Sequence, residues 1–110
     1  MKEATRTLTT AIIDCITACN NCFDECLESD DIQHMAGCIR SNRECVDICT
    51  LALSFLTREG SLKTDLLHLL SIAAQACGEE CEKHDHDHCQ ASAKACFACV
   101  EACKNHPLMA

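Results

Sequence analysis

Apolar and polar positions alternate along this chain with a helical period, and small thiol side chains take many of the apolar places. In the first quarter, Leu8, Ile12, Cys15, Cys19, Cys22 and Cys26 follow one another at steps of four, three, four, three and four. Such steps place side chains on a single helix face. The same rhythm returns with Cys38, Cys45 and Cys49, with Cys77 and Cys81, and with Cys89, Cys96, Cys99 and Cys103. Breaks between these stripes are short. Asp30 with Gln33 has the pattern of a capping box, Glu59-Gly60-Ser61 reads as a stop followed by a cap, Asp87 with Gln90 repeats the first pattern, and Pro107 closes the last segment. Four helices are predicted, over about 4–28, 31–58, 62–83 and 88–105, in one domain spanning 1–110. Three short turns between four long helices give an all-α, antiparallel up-down-up-down bundle with its cysteines facing inward.

Composition sharpens this picture. The apolar share of 48% includes the 13 cysteines. Without them 40 of 110 residues remain, about 36%, which is below the usual apolar content of a globular domain. The thiols must therefore supply part of the core. Gly37 and Gly78 fall inside predicted helices, where they lower stability unless they permit close helix approach. A formal net charge of −8 argues against nucleic acid as a partner, which would need a basic face. No apolar run approaches membrane-spanning length. Nothing behind Met1–Arg6 resembles the apolar core of a secretory signal, so a cytoplasmic location with reduced thiols is expected.

Thirteen thiols on the inner faces of four helices exceed what filling space requires, since Ala or Val would do so without the risk of oxidation. Disulfide staples fit poorly: the count is odd, and neighbours three or four apart on one helix have unsuitable geometry. Soft thiolates favour Cu(I), zinc and iron–sulfur clusters. Iron–sulfur ligands usually come as C-x2-C sets in loops, whereas here that spacing occurs only in mid-helix, at Cys19/Cys22 and Cys96/Cys99. Zinc bound by four thiolates carries −2, a costly charge to bury in a row. Cu(I) needs two or three thiolates. If each sulfur bridges two ions, every Cu(I) replaces one thiol proton and no net charge is buried. That balance favours multiple Cu(I) ions, roughly one per cysteine. The alternatives are a zinc or soft-metal buffer and a thiol redox or disulfide-bonded helical protein.

Extended toward one end of the bundle, the stripes finish in His34 with Met35, in His84, and in His86 with His88. Imidazole and thioether are weaker, exchangeable Cu(I) ligands, so metal would pass in and out there. At the other end Leu8, Ile12, Ala52, Leu56, Leu66 and Leu70 are predicted to form a plug. Ile13, Leu53, Leu67 and Leu69 fall off the inner stripes and suit an interface between bundles. His68 and His106 lie toward the plugged end and read as structural. No nucleophile motif, phosphate loop or Glu-x-x-His di-iron motif is present, so an enzyme is not expected.

The C-x3-C-x2-C-x3-C run at Cys15–Cys26, the C-x6-C-x3-C run at Cys38–Cys49 and the C-x6-C-x2-C-x3-C run at Cys89–Cys103 resemble the bacterial copper storage proteins over nearly the whole chain. That resemblance implies a homotetramer of four-helix bundles filled with Cu(I) through thiolates. It also implies a cytosolic member with histidines at the bundle mouth; copper chaperones are candidate partners that no residue here identifies. The third helix departs from a full pattern, with only Cys77 and Cys81, which implies a smaller capacity.

Overall fold

A computed structural model describes all 110 residues as four helices and a short terminal turn. Helix α1 spans Glu3–Leu27, α2 Ala36–Leu56, α3 Lys63–Glu82 and α4 Asp87–Lys104, and a 3₁₀ turn follows at Pro107–Met109. Each helix packs on its two neighbours in sequence, and α4 returns to α1, so the bundle closes around a square. The molecule measures 45 × 18 × 18 Å, as expected for side-by-side helices of 18 to 25 residues.

The second helix starts later than the sequence predicts. Residues 30–35 form successive turns, and the helix begins at Ala36 instead of 31. Local bonds account for this. Ser29 Oγ accepts the Asp31 N–H at 3.2 Å, and Asp31 Oδ1 accepts the His34 N–H at 3.4 Å. Side chains of this kind compete with the helix for backbone donors. The Asp87/Gln90 pattern also resolves differently. His86, not Asp87, takes the N-cap position of α4. Gln90 Nε2 instead donates to the carbonyls of Glu82, at 3.2 Å, and His84, at 2.7 Å. It thereby satisfies carbonyls that the end of α3 leaves open.

Both helical glycines lie under a neighbour's side chain. A Cβ on Gly78 would meet the Phe97 ring at 2.6 Å, so α3 and α4 approach over that glycine. A Cβ on Gly37 would meet the Glu80 carboxylate at 3.0 Å. At the closed end Leu8, Ile12, Ala52, Leu56, Leu67 and Leu70 are buried. Leu67 is fully buried, so it belongs to the plug and not to an outer face, whereas Leu66 is only half-buried. The α3 stripe runs Leu67, Leu70, Ala74, Cys77, Cys81 at steps of three, four, three and four. A period of 3.6 residues selects 67 over 66 once the stripe is followed from its cysteines.

Candidate metal centre

All 13 cysteines are free thiols, and all are buried, none more than 1% exposed. The stripes of the four helices meet on the bundle axis and bring sulfurs together in groups. Nearest the histidine end are Cys22, Cys26, Cys38 and Cys89; in mid-bundle are Cys15, Cys19, Cys45 and Cys96; deeper, Cys15 also joins Cys49 and Cys99. Sulfurs separate by 3.6 Å for Cys22–Cys38 and Cys19–Cys96, 3.7 Å for Cys15–Cys45, 3.8 Å for Cys22–Cys89 and 3.9 Å for Cys38–Cys89. Cys38 and Cys81 are nearer, at 3.3 Å, and Cys77 lies 3.9 Å from Cys81. Cys103 stands at the foot of α4, where a hydrogen bond with Cys99 holds its thiol below the ordinary range. None of the three groups draws on α3, whose Cys81 instead approaches Cys38.

Separations of 3.6–4.0 Å suit shared metal. With a metal–sulfur bond of about 2.3 Å they subtend roughly 100–120° at an ion placed between them. That range spans tetrahedral zinc and three-coordinate Cu(I), so angle alone does not choose. Charge does. Within the thiol row the other buried polar side chains are the Asn42 amide and the Ser92 hydroxyl, and no lysine or arginine is buried there to offset a tetrathiolate dianion.

Packing thiols against one another spreads their acidities. Hydrogen bonds from Cys15, Cys45, Cys77 and Cys96 push the Cys19 thiol far down. The same network, with burial, pushes Cys45, Cys77 and Cys96 up. Hydrogen bonds with Cys22 and Cys81, then burial, raise Cys38, while burial and the neighbouring Cys22 raise Cys26 to about 11. Cys49 is raised by hydrogen bonds with Cys15, Cys45 and Cys99, and Cys89 chiefly by burial.

Two polar residues that cysteine spacing does not single out sit within the thiol row. Asn42 is fully buried on α2, four residues after Cys38, and Ser92 is fully buried on α4, three after Cys89. Ser92 Oγ donates to Asn42 Oδ1 at 3.0 Å. Cys77 and Cys81 donate to the same oxygen at 3.5 Å, and Asn42 Nδ2 donates to Cys38 at 3.5 Å. Ser92 also lies 3.4 Å from Cys19. Their sequence signal is their place on the stripes, at helical steps from Cys38 and Cys89.

At the histidine end of the bundle the four histidines form two pairs. The rings of His34 and His84 meet edge to face with centroids 5.2 Å apart, and those of His86 and His88 stack at 5.2 Å. His88 touches the thiols: its Nδ1 lies 3.3 Å from Cys22 Sγ and 3.5 Å from Cys89 Sγ. His86, the residue on stripe spacing, is exposed and lies over His88 instead. His84 is 7% exposed and Met35 1%, while His34 is exposed. Glu80 Oε2 accepts from His84 Nε2 at 3.1 Å, and this bond holds the Glu80 carboxyl below its usual range. At the opposite end His68 is exposed. His106 is buried and clasps the tail: its Nδ1 accepts the Leu108 N–H at 3.2 Å and its Nε2 donates to Thr5 Oγ1 at 3.1 Å. Burial, then the charge of Lys63, lowers its basicity.

A closed helical bundle with reduced thiols converging from all four helices defines a class: cysteine-cored bundles built around soft-metal ligands. The family model for copper storage proteins matches residues 1–107, and the chain belongs to that family. It is 47% identical over 105 residues to the cysteine-rich protein YhjQ of Bacillus subtilis, covering 96% of this chain and 97% of that one. Among solved structures, the Cu(I)-bound copper storage protein BsCsp3 aligns with a TM-score of 0.89 and 46% identity, over 94% of this chain and 98% of its own. A cytosolic copper storage protein from Streptomyces lividans, loaded with five coppers, aligns at 0.91 and 31% identity, over 97% and 92%.

Proposed function

We propose that this chain stores Cu(I) in its thiol core, with the 13 cysteines as bridging ligands and His34, Met35, His84, His86 and His88 as the mouth through which metal passes. The observation that carries this reading is the set of sulfurs from different helices 3.3–3.9 Å apart, buried with no opposing charge. Each Cu(I) displaces one S–H proton, so the filled core stays close to neutral. A Cu(I)-bound relative and a copper-loaded one, both with nearly the same backbone, support the choice of metal. The mouth is the natural route because the other end is closed by Leu8, Ile12, Leu56, Leu67 and Leu70.

The chain works as one unit in the cytoplasm, as a binding protein and not an enzyme, and exchanges metal with copper chaperones. Exposed Ile13, Leu51, Leu69 and Ile72, the last 67% exposed, support association of bundles as a homotetramer. Sedimentation analysis of the apo protein checks that assembly: a tetramer is expected, and a monomer at micromolar concentration would refute it.

Anaerobic titration tests the storage reading. Reduced protein is expected to take up roughly one Cu(I) per cysteine and about a quarter as many Zn(II) ions. Saturation at one or two coppers would refute it, and a thiol count well below 13 in reduced protein would point to disulfides.

A further inference from the structure

His84 differs from the other histidines of the mouth. Its Nε2 faces the carboxylate of Glu80, one helical turn earlier on α3. A carboxylate only accepts, so Nε2 carries the hydrogen and Nδ1 keeps a free lone pair. That Nδ1 is the single buried side-chain nitrogen or oxygen of the whole molecule with no hydrogen-bond partner. Leaving a buried acceptor unpaired costs about 1–3 kcal/mol. The fold nevertheless maintains it, with the His84 side chain only 6% exposed. Glu80 is itself held in place. Lys83 Nζ lies 3.6 Å from its Oε1, and its carboxylate occupies the space over Gly37, where a Cβ would fall 3.0 Å from Cδ and Oε2. An imidazole that gives its N–H to a carboxylate and presents the other nitrogen bare is the arrangement of a metal-ligating histidine. The remaining mouth histidines lack such a partner, and the Nδ1 of His88 already lies against Cys22 and Cys89.

We propose that Glu80 is a positioning residue for copper uptake: it fixes the tautomer and direction of His84 so that Nδ1 is the first, transient acceptor of Cu(I) at the mouth, and Gly37 leaves its carboxylate the room to do so. This rests on the reading that copper passes through the histidine end. Neutral Nδ1 binds Cu(I) without releasing a proton. As the ion moves on to the bridging thiols, each Cu(I) replaces one S–H proton, which leaves to solvent. The arrangement assigns Glu80 a kinetic role, separate from capacity.

Uptake from a coloured Cu(I)–bicinchoninate donor, followed by stopped flow under anaerobic conditions, tests this with ¹⁵N NMR of the histidine rings. E80A is expected to slow the first phase about tenfold, the low end of what loss of such a partner costs, with the final copper count unchanged. E80Q, whose amide oxygen still accepts from Nε2, should keep at least half the rate. H84A should be slowed as much as E80A, and the double variant no further. In the apo protein, ¹⁵N shifts should report His84 as protonated at Nε2, and E80A should give a tautomer mixture. The role of Glu80 is refuted if E80A loads at the wild-type rate while H84A is slow. It is refuted equally if E80Q is as slow as E80A, if E80A still slows loading without His84, or if Nδ1 carries the proton. Wild-type loading by H84A would instead overturn the reading of His84 as a mouth ligand, and the proposal with it.

Discussion

The two halves of this bundle share one backbone design and carry opposite chemistry. Toward the closed end the stripes are filled by Leu8, Ile12, Leu56, Leu67 and Leu70, all buried, beneath a half-open cavity of about 470 Å³ whose lining includes Lys2, Arg58, Lys63 and His106. Toward the mouth the same stripe positions hold Cys22, Cys26, Cys38, Cys81 and Cys89, under four histidines with Glu80 beside them. The cavity lining carries three cations against Glu59, whereas the turns and helix ends at the histidine end carry Glu28, Asp30, Asp31, Glu80, Glu82, Asp85 and Asp87 against Lys83, so a monovalent cation is drawn to the end that leads to sulfur. Leucine stabilises through the area and volume it fills. Cysteine is small and packs as a modest hydrophobe, and its value at the mouth is chemical. The leucine-filled half thus holds the fold together, while the half beneath the histidines holds the thiols that the proposed exchange of protons for metal would use.

Mutations should separate the halves. Leu70→Ala in the plug is expected to lower apo stability by about 2–5 kcal/mol in urea unfolding, the usual cost of such a cavity. Copper taken up by the folded fraction should not change. Cys22→Ala at the mouth should cost about 1 kcal/mol or less, near the value of one small buried side chain, and should remove copper from its group. Equal destabilisation by the two would break the division. Gly78→Ala tests the α3–α4 seam between them. A Cβ placed 2.6 Å from Phe97 forces the ring aside, at about 1–3 kcal/mol.

Alkaline titration sharpens the contrast from the open side. Cys26, Cys38, Cys49, Cys77, Cys89 and Cys96 all have thiols raised in the folded state, Cys26 from 9.0 to about 11. A raised group contributes stability that is full below its unfolded value and is lost as pH climbs toward the folded one. The lowered Cys19 and Cys103 act in the other sense, but the raised thiols, seven with Cys45, outnumber them. The apo bundle should therefore weaken from about pH 9 upward, and the copper-loaded one, with no thiol protons left to lose, should not. Circular dichroism against pH for the two forms checks it. The smallest effect belongs to the closed end. His106 is lowered by burial and by Lys63, so its contribution is present above its unfolded value near 6.5 and fades as pH falls below that. Hydrogen exchange should show the Leu108 amide losing protection in mild acid while the plug stays intact.

Most of this design can be read from residue spacing. Steps of three and four run through long stretches with few glycines and one proline, so helix number, direction and the facing of the thiols follow directly. What escaped depends on competition between groups that are adjacent only in space. The late start of α2 follows from Ser29 and Asp31 taking backbone donors. Leu67 displaced Leu66 because the stripe keeps phase with Cys77 and Cys81. Asn42 and Ser92 hold cysteine-like places in the row, and each is satisfied by the other. Among the histidines, spacing puts His34, His84 and His86 on the stripes with His88 beside them, and the one against sulfur is His88, turned inward at the first turn of α4.

The central claim is that neighbouring sulfurs share each monovalent ion, so loading exchanges protons for copper one for one. Protons released per Cu(I) bound, measured in weakly buffered anaerobic solution, test it directly. About one proton per copper throughout, up to roughly one copper per thiol, is the result expected. Two protons per copper, with uptake ending near half the thiol count, would mean that each ion takes a private pair of sulfurs, and bridging would be disproved.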